Sequence, residues 1–157
     1  MCGERQTLIH VLNTCKAARD GRRFNARHDA ILAEIASLLS AHISPPAKLC
    51  ADLGSYTFPQ RIVATDLHPD IVWWDDSLRR IVLIELTICF ETSFHHAAKR
   101  KELKYENMIA RARSAGYSGR LITLQVGSRG IVDQAGFSHL KHDLNIGKRV
   151  LTLASAT

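Results

Sequence analysis

Nothing in this sequence is long and apolar enough to span a membrane. The longest apolar run, Ile81-Val-Leu-Ile-Glu-Leu-Thr-Ile88, is interrupted by Glu85 and falls short of the roughly twenty residues a spanning helix needs. The opening residues, Met1-Cys-Gly-Glu-Arg-Gln6, lack the apolar core of a secretion signal, so an intracellular protein is expected. Cysteine is sparse as well. Cys2, Cys15, Cys50 and Cys89 do not have the spacing of a disulfide-stapled secreted scaffold, and Cys50 and Cys89 read as buried thiols in apolar strands. Internal repeats and low-complexity tracts are missing. Aromatic residues make up 6% of the chain, yet the total hydrophobic content of 46% over 157 residues suffices for one cored domain and argues against disorder. Acidic residues are the minority charge, 15 against 21 basic, which leaves a net charge of +6. Such a surface attracts polyanions, of which nucleic acid is the commonest partner of a soluble basic domain.

What is present is an α/β pattern. The polar stretch from Ala18 to Asn25 reads as a linker behind a short N-terminal piece. From Arg27 the pattern is helical, with Ile31, Ile35, Leu38, Leu39 and Ile43 on one face and Pro45-Pro46 as the stop. A strand is predicted at Leu49–Leu53, then two strands around 70–74 and 80–88 joined by the turn-like Asp75-Asp-Ser-Leu78. A long helix follows from Thr92 to Ser114 with Gly116 as its stop, then a strand at Leu121–Val126. The remainder, Ile131 to Thr157, reads as helical with a break near Asn145-Ile-Gly147. This order, helix, three strands, helix, strand, predicts a mixed β-sheet flanked by helices.

Glu85 stands out chemically. A strand apolar on both faces is a central one, and a carboxylate within it is costly unless a cation compensates. Pro69-Asp70 heads the preceding strand, so antiparallel pairing through the turn can set Asp70 beside Glu85 on one sheet face. Two converging carboxylates suit a hard divalent cation. On the following helix Phe94, Ala98, Lys101, Tyr105, Met108 and Ala112 form one stripe, apolar except at Lys101, which makes Lys101 a partner for Glu85. Lys99, Arg100, Arg111 and Arg113 fall off that stripe, free for solvent or a phosphate backbone. Plainer readings stand beside this one: Glu85 as a satisfied core group, Pro69-Asp70 as a strand start, Lys101 as a snorkelling side chain and Tyr105 as core.

Pro69-Asp70, fourteen intervening residues and Glu85-Leu86-Thr87 resemble the PD-(D/E)xK restriction-endonuclease-like superfamily, with Thr87 in the usual lysine position. Arg27-His28-Asp29, His68-Pro69-Asp70, Glu85 and the pair Lys101 and Tyr105 narrow the resemblance to the endonuclease of site-specific non-LTR retrotransposons. There the motifs read Arg/Lys-His-Asn, Lys/Arg-Pro-Asp, Glu and Lys-x-x-x-Tyr. The match covers roughly residues 27–130 and departs from the pattern at Asp29, where Asn is common, and at His68, where Lys or Arg is usual. It implies a Mg²⁺- or Mn²⁺-dependent DNA endonuclease of restriction-endonuclease-like fold. Asp70 and Glu85 would hold the metal, Lys101 would sit in the relocated lysine position, and Tyr105 would contact phosphate or lysine. Arg27, His28, His68, Lys99, Arg100 and Lys104 would hold DNA, with the element's RNA as a second partner and a nuclear location.

Cys2, His10 and Cys15 resemble the last three ligands of the CCHC zinc knuckle that precedes this endonuclease in the same elements, an incomplete Zn²⁺ site whose first cysteine would lie before Met1. Residues 1–20 are then expected to be a truncated knuckle and residues 21–157 the endonuclease-like domain, together the C-terminal remnant of a retroelement polyprotein. A degenerate copy that binds nucleic acid without cutting it is the alternative.

Overall fold

The computed structural model describes residues 2–146. Among these residues four helices, α1 (Lys16–Asp20), α2 (Arg23–Ser40), α3 (Phe94–Ser114) and α4 (Gln134–Asp143), flank a mixed sheet of four strands, β1 (Lys48–Ala51), β2 (Ile71–Asp75), β3 (Arg80–Cys89) and β4 (Ser118–Gly127). The sheet runs in sequence order, with β1, β2 and β3 antiparallel and β4 parallel to β3. A parallel neighbour requires a crossover, and α3 supplies it. None of the described helices is long and apolar enough to cross a membrane.

β2 and β3 are apolar throughout because both faces of the sheet are covered. Ile71, Trp73, Val82, Ile84, Leu86, Ile122 and Leu124 pack with Leu32, Ile35 and Leu39 of α2 and Phe137 and Leu140 of α4. The alternate residues Val72, Trp74, Ile81 and Leu83 pack with Tyr105, Met108, Ile109 and Ala112 of α3 and with Phe58, Ile62 and Val63 of the loop before β2. This division follows the two-residue period of a strand. The hairpin between β2 and β3 is fixed locally: Asp75 Oδ1 accepts from Ser77 N–H (2.8 Å), Ser77 Oγ (2.6 Å) and Leu78 N–H (3.0 Å). That turn sets the register Ile71 opposite Ile84.

The stretch expected to be a linker, residues 18–25, is instead α1, a turn and the start of α2, and Ala18 is buried. Gly21 and a left-handed Arg22 (φ 54°) make the turn, and α2 begins at Arg23, a full turn before Arg27. A polar stretch can hide a helix pair when one small apolar residue suffices as the contact. On α2 the buried positions are Leu32, Ile35, Ala36 and Leu39, while Ile31 and Leu38 are half-buried at the margin; Ile43, also half-buried, lies beyond the helix, which ends at Ser40 before reaching Pro45-Pro46. Cys50 is buried as expected, but Cys89 is only half-buried because it ends β3 where the helical cover stops. A 3₁₀ turn, Glu91–Ser93, occupies the expected start of the long helix. Gly116 ends that helix with φ 81°, a conformation only glycine takes without strain. Beyond α4, residues 147–157 of the expected C-terminal helical stretch lie outside the described residues.

Candidate functional site

Continuing the antiparallel register one residue past Ile71 and Ile84 brings Asp70 against Glu85. The contact is direct: Asp70 N–H donates to Glu85 Oε1 at 3.1 Å, and Leu86 N–H donates to Asp70 Oδ2 at 2.7 Å. Glu85 has no solvent exposure at all. Its second oxygen, Oε2, forms an ion pair with Lys101 Nζ from α3. An isolated carboxylate there would carry a large desolvation cost, and the pair offsets it. Three groups from three elements thus meet at the α3 side of the sheet.

His28 of α2 completes the cluster. Its Nε2 lies 3.5 Å from Asp70 Oδ2 and its Nδ1 3.1 Å from Asp29 Oδ1. The Asp70 carboxylate, against the opposing effect of burial and with help from Asp29, raises the imidazole pKa from 6.5 to about 9, so the ring is cationic at neutral pH. Tyr105 is wholly buried, and its hydroxyl donates to the His68 carbonyl at 3.0 Å. Burial first, then the nearby Glu85 carboxylate, pushes that phenol above its ordinary range. Tyr105 therefore fixes the backbone just before Pro69-Asp70 and stays neutral.

The remaining predicted residues divide. The His68 ring stacks on Tyr56 at 4.7 Å and faces Asp52 at 3.9 Å, so it is engaged apart from the carboxylate pair. Lys99 pairs with Glu102 at 3.2 Å on the exposed side of α3, and the Lys104 ammonium lies 4.6 Å over the Tyr105 ring. Arg27 donates from Nη2 to the Leu12 carbonyl at 3.1 Å, tying the N-terminal segment to α2. Arg27, His28, Arg100 and Lys101 line a cleft of about 600 Å³ whose other walls include Ile9, Asn13, Phe24, Thr87 and Phe90. Sequence reading passed over Phe24 and Phe90. A signal existed for Phe24, which stands three and four residues before Arg27 and His28 and so shares their helix face.

Cys2, His10 and Cys15 converge, with their ligand atoms all within 4.8 Å of one another. A π-helical turn, His10–Thr14, makes this possible: Cys15 N–H donates to the His10 carbonyl at 2.7 Å, and the wide turn brings residues five apart to one side, which an α-helix does not. Cys2 Sγ sits 3.1 Å from His10 Nε2. Hydrogen bonds from the Glu4 backbone, then from Gln6, His10 and Cys15, lower the Cys2 thiol pKa to about 6, favouring the thiolate that binds metals. Two thiols and an imidazole form a donor set that can hold a metal ion such as zinc.

The oxygen cluster poses a different question. Asp70 Oδ1 accepts no hydrogen bond among the described residues, whereas both Glu85 oxygens are already engaged. Thr87, two residues on and so on the same strand face, has a buried hydroxyl with no partner. These are oxygen donors with one open carboxylate position, which fits a hard cation that keeps several waters, provided Glu85 shares an oxygen with Lys101. Taken together the fold and site define an α/β protein with a buried carboxylate–lysine cluster at the edge of a basic cleft and a separate thiol–imidazole group. No protein-family model matches the sequence, and no curated protein matches it.

Proposed function

We propose that the chain is a metal-dependent DNA endonuclease domain of restriction-endonuclease-like type, derived from the C-terminal part of a non-LTR retrotransposon polyprotein. The observation that carries the reading is the meeting of Asp70, Glu85 and Lys101 beside a cleft lined by Arg27 and Arg100. Asp70 and Glu85 would hold Mg²⁺ or Mn²⁺, which when bound supplies Lewis-acid polarisation of a phosphoryl oxygen and a water of lowered pKa. The protein's own part is electrostatic and positional. Lys101, one-fifth exposed, can turn its ammonium from Glu85 to a phosphate as negative charge develops there. His28, with Nε2 3.5 Å from Asp70 Oδ2, holds that carboxylate in place, and the cationic cleft draws in the phosphodiester backbone. Cys2, His10 and Cys15 would hold Zn²⁺ as an organising site, in the manner of a zinc knuckle.

The test is conversion of supercoiled plasmid to nicked or linear form in Mg²⁺ or Mn²⁺. Wild-type protein is expected to cut, Asp70→Asn and Glu85→Gln to be inert, and Lys101→Met to lose about 10²–10³ in rate. Equal cutting by the Asp70→Asn/Glu85→Gln double variant ends the proposal.

One observation favours a second reading, a nucleic-acid-binding domain without cleavage: both Glu85 oxygens are satisfied within the protein. That reading expects DNA affinity that falls steeply with salt while plasmid remains intact under every divalent ion.

A further inference from the structure

Seven buried side-chain polar atoms among the described residues have no hydrogen-bond partner. Three of them, Asn13 Nδ2, Arg27 Nε and Thr87 Oγ1, belong to residues lining the one cleft beside Asp70 and Glu85. Buried polar groups left unpaired are costly, and several in one cleft mark a place where a ligand supplies the partners. Two of the three can only donate, and Arg100 and Lys101 add cationic donors to the same walls. Such donors and cations on the same walls suit an anion.

The cleft is larger than a lone phosphate requires. Its volume of about 600 Å³ lies within the roughly 300–1,000 Å³ of sites that enclose small organic molecules. Two of its walls are aromatic. Phe24 carries the Arg27 guanidinium 5.6 Å from its ring centre, and Phe90 carries that of Arg129 at 5.0 Å. Aromatic rings paired with guanidinium planes are the surfaces on which unstacked nucleobases lie.

We propose that this cleft takes one unpaired nucleotide of the nucleic-acid chain, its phosphate on Arg27, Arg100 and Thr87 and its base against Phe24 and Phe90. The choice of nucleic acid as ligand rests on the endonuclease reading; the demand for an unpaired base comes from the two aromatic walls, since a base stacked in a duplex has both faces covered by its neighbours and cannot lie on Phe24 or Phe90. The preferred substrate is then a strand with at least one extruded nucleotide next to the carboxylate pair.

The experiment measures affinity by fluorescence anisotropy in the absence of added magnesium or manganese, so that cleavage plays no part. Three probes share length and sequence: a fully paired duplex, the same duplex with one unpaired nucleotide, and that probe with the unpaired base removed to leave an abasic sugar. The unpaired nucleotide is expected to tighten binding about tenfold over the duplex, the abasic probe to lose that gain, and the Phe24→Leu/Phe90→Leu variant to bind all three alike. Phe24→Tyr, which keeps an aromatic ring, is expected to retain the preference. Arg111→Ala, on α3 outside the cleft, is also expected to retain it. Equal affinity for the paired and unpaired probes overturns the proposal even if plasmid is cut, as does a preference that survives the double leucine variant or the abasic sugar. A preference for the unpaired base in protein that cuts nothing upholds the proposal while ending the endonuclease reading.

Discussion

At the scale of single residues, the Glu85–Lys101 pair is both a stability element and the proposed chemical centre, and the two roles separate by substitution. Glu85 is fully buried, so removal of Lys101 leaves a carboxylate with the Asp70 N–H as a remaining hydrogen-bond donor and no cation paired with it among the described residues. Breaking a buried pair from one side costs about 3–5 kcal/mol, because the surviving charge is stranded in a low-dielectric interior. Lys101→Met is therefore expected to lower the stability measured by urea unfolding by that amount, and Glu85→Gln/Lys101→Met to recover most of it, because the glutamine carries no charge. A double variant no more stable than the single one would show that the loss in Lys101→Met does not come from a stranded Glu85 charge.

His28 offers a titration readout of the same cluster. Its pKa is raised to about 9 chiefly by Asp70, with burial opposing and Asp29 assisting. A histidine whose folded pKa exceeds its unfolded value stabilises the fold fully below the unfolded pKa, near 6.5, and that stabilisation is lost as pH rises through about 9. In metal-free protein the melting temperature is expected to decline between those limits by more in wild type than in His28→Gln. The imidazole midpoint, followed by proton NMR, is expected to fall from about 9 toward 6.5 in Asp70→Asn. An unmoved midpoint would exclude Asp70 as the main cause.

At the scale of elements, α4 lies so close to β4 that Gly136 is required: a Cβ at that position would strike the Thr123 carbonyl oxygen of β4, backbone that cannot move aside. Gly136→Ala is expected to destabilise by about 1–3 kcal/mol as α4 is forced off the sheet, despite the better helix propensity of alanine, with guanidinium unfolding as the check. Elements of this kind show what the sequence reveals and what it conceals. β2 and β3 were legible because unbroken apolar runs occur where both faces are covered, and the Asp75 turn converted the Asp70–Glu85 spacing into register. Lys101 was legible from the helical period alone. The Tyr105 hydroxyl bond to His68, the His28 contact with Asp70 and the shared cleft of Phe24 and Phe90 were not. Each depends on how α2, α3 and the end of β3 pack together, which no local period encodes. α1 and the first turn of α2 were missed because their polar composition matches that of a linker.

At the scale of the whole molecule, the N-terminal segment is bound into the body rather than appended to it. Arg27 holds the Leu12 carbonyl, Asn13 hydrogen-bonds Ser128 in the loop after β4, and Ile9, Asn13 and Thr14 form one side of the basic cleft. The Cys2–His10–Cys15 group sits on the same segment, so an ion held there restrains one wall of that cleft. An ion that binds the folded protein alone raises its stability by mass action, about 2.7 kcal/mol at a hundred times its dissociation constant. Zinc is therefore expected to bind one per chain and to raise the melting temperature of the entire domain in a single transition, with a chelator reversing the shift and Cys15→Ser abolishing it. The thiolates must be deprotonated to bind, so the shift is expected to fade as pH drops below about 6, the value to which the Cys2 thiol is lowered. A zinc-dependent transition confined to a minor early phase, with the main melt unchanged, would mean that the segment folds apart from the sheet and that the hydrogen bonds donated by Arg27 to the Leu12 carbonyl and by Ser128 to Asn13 do not couple them.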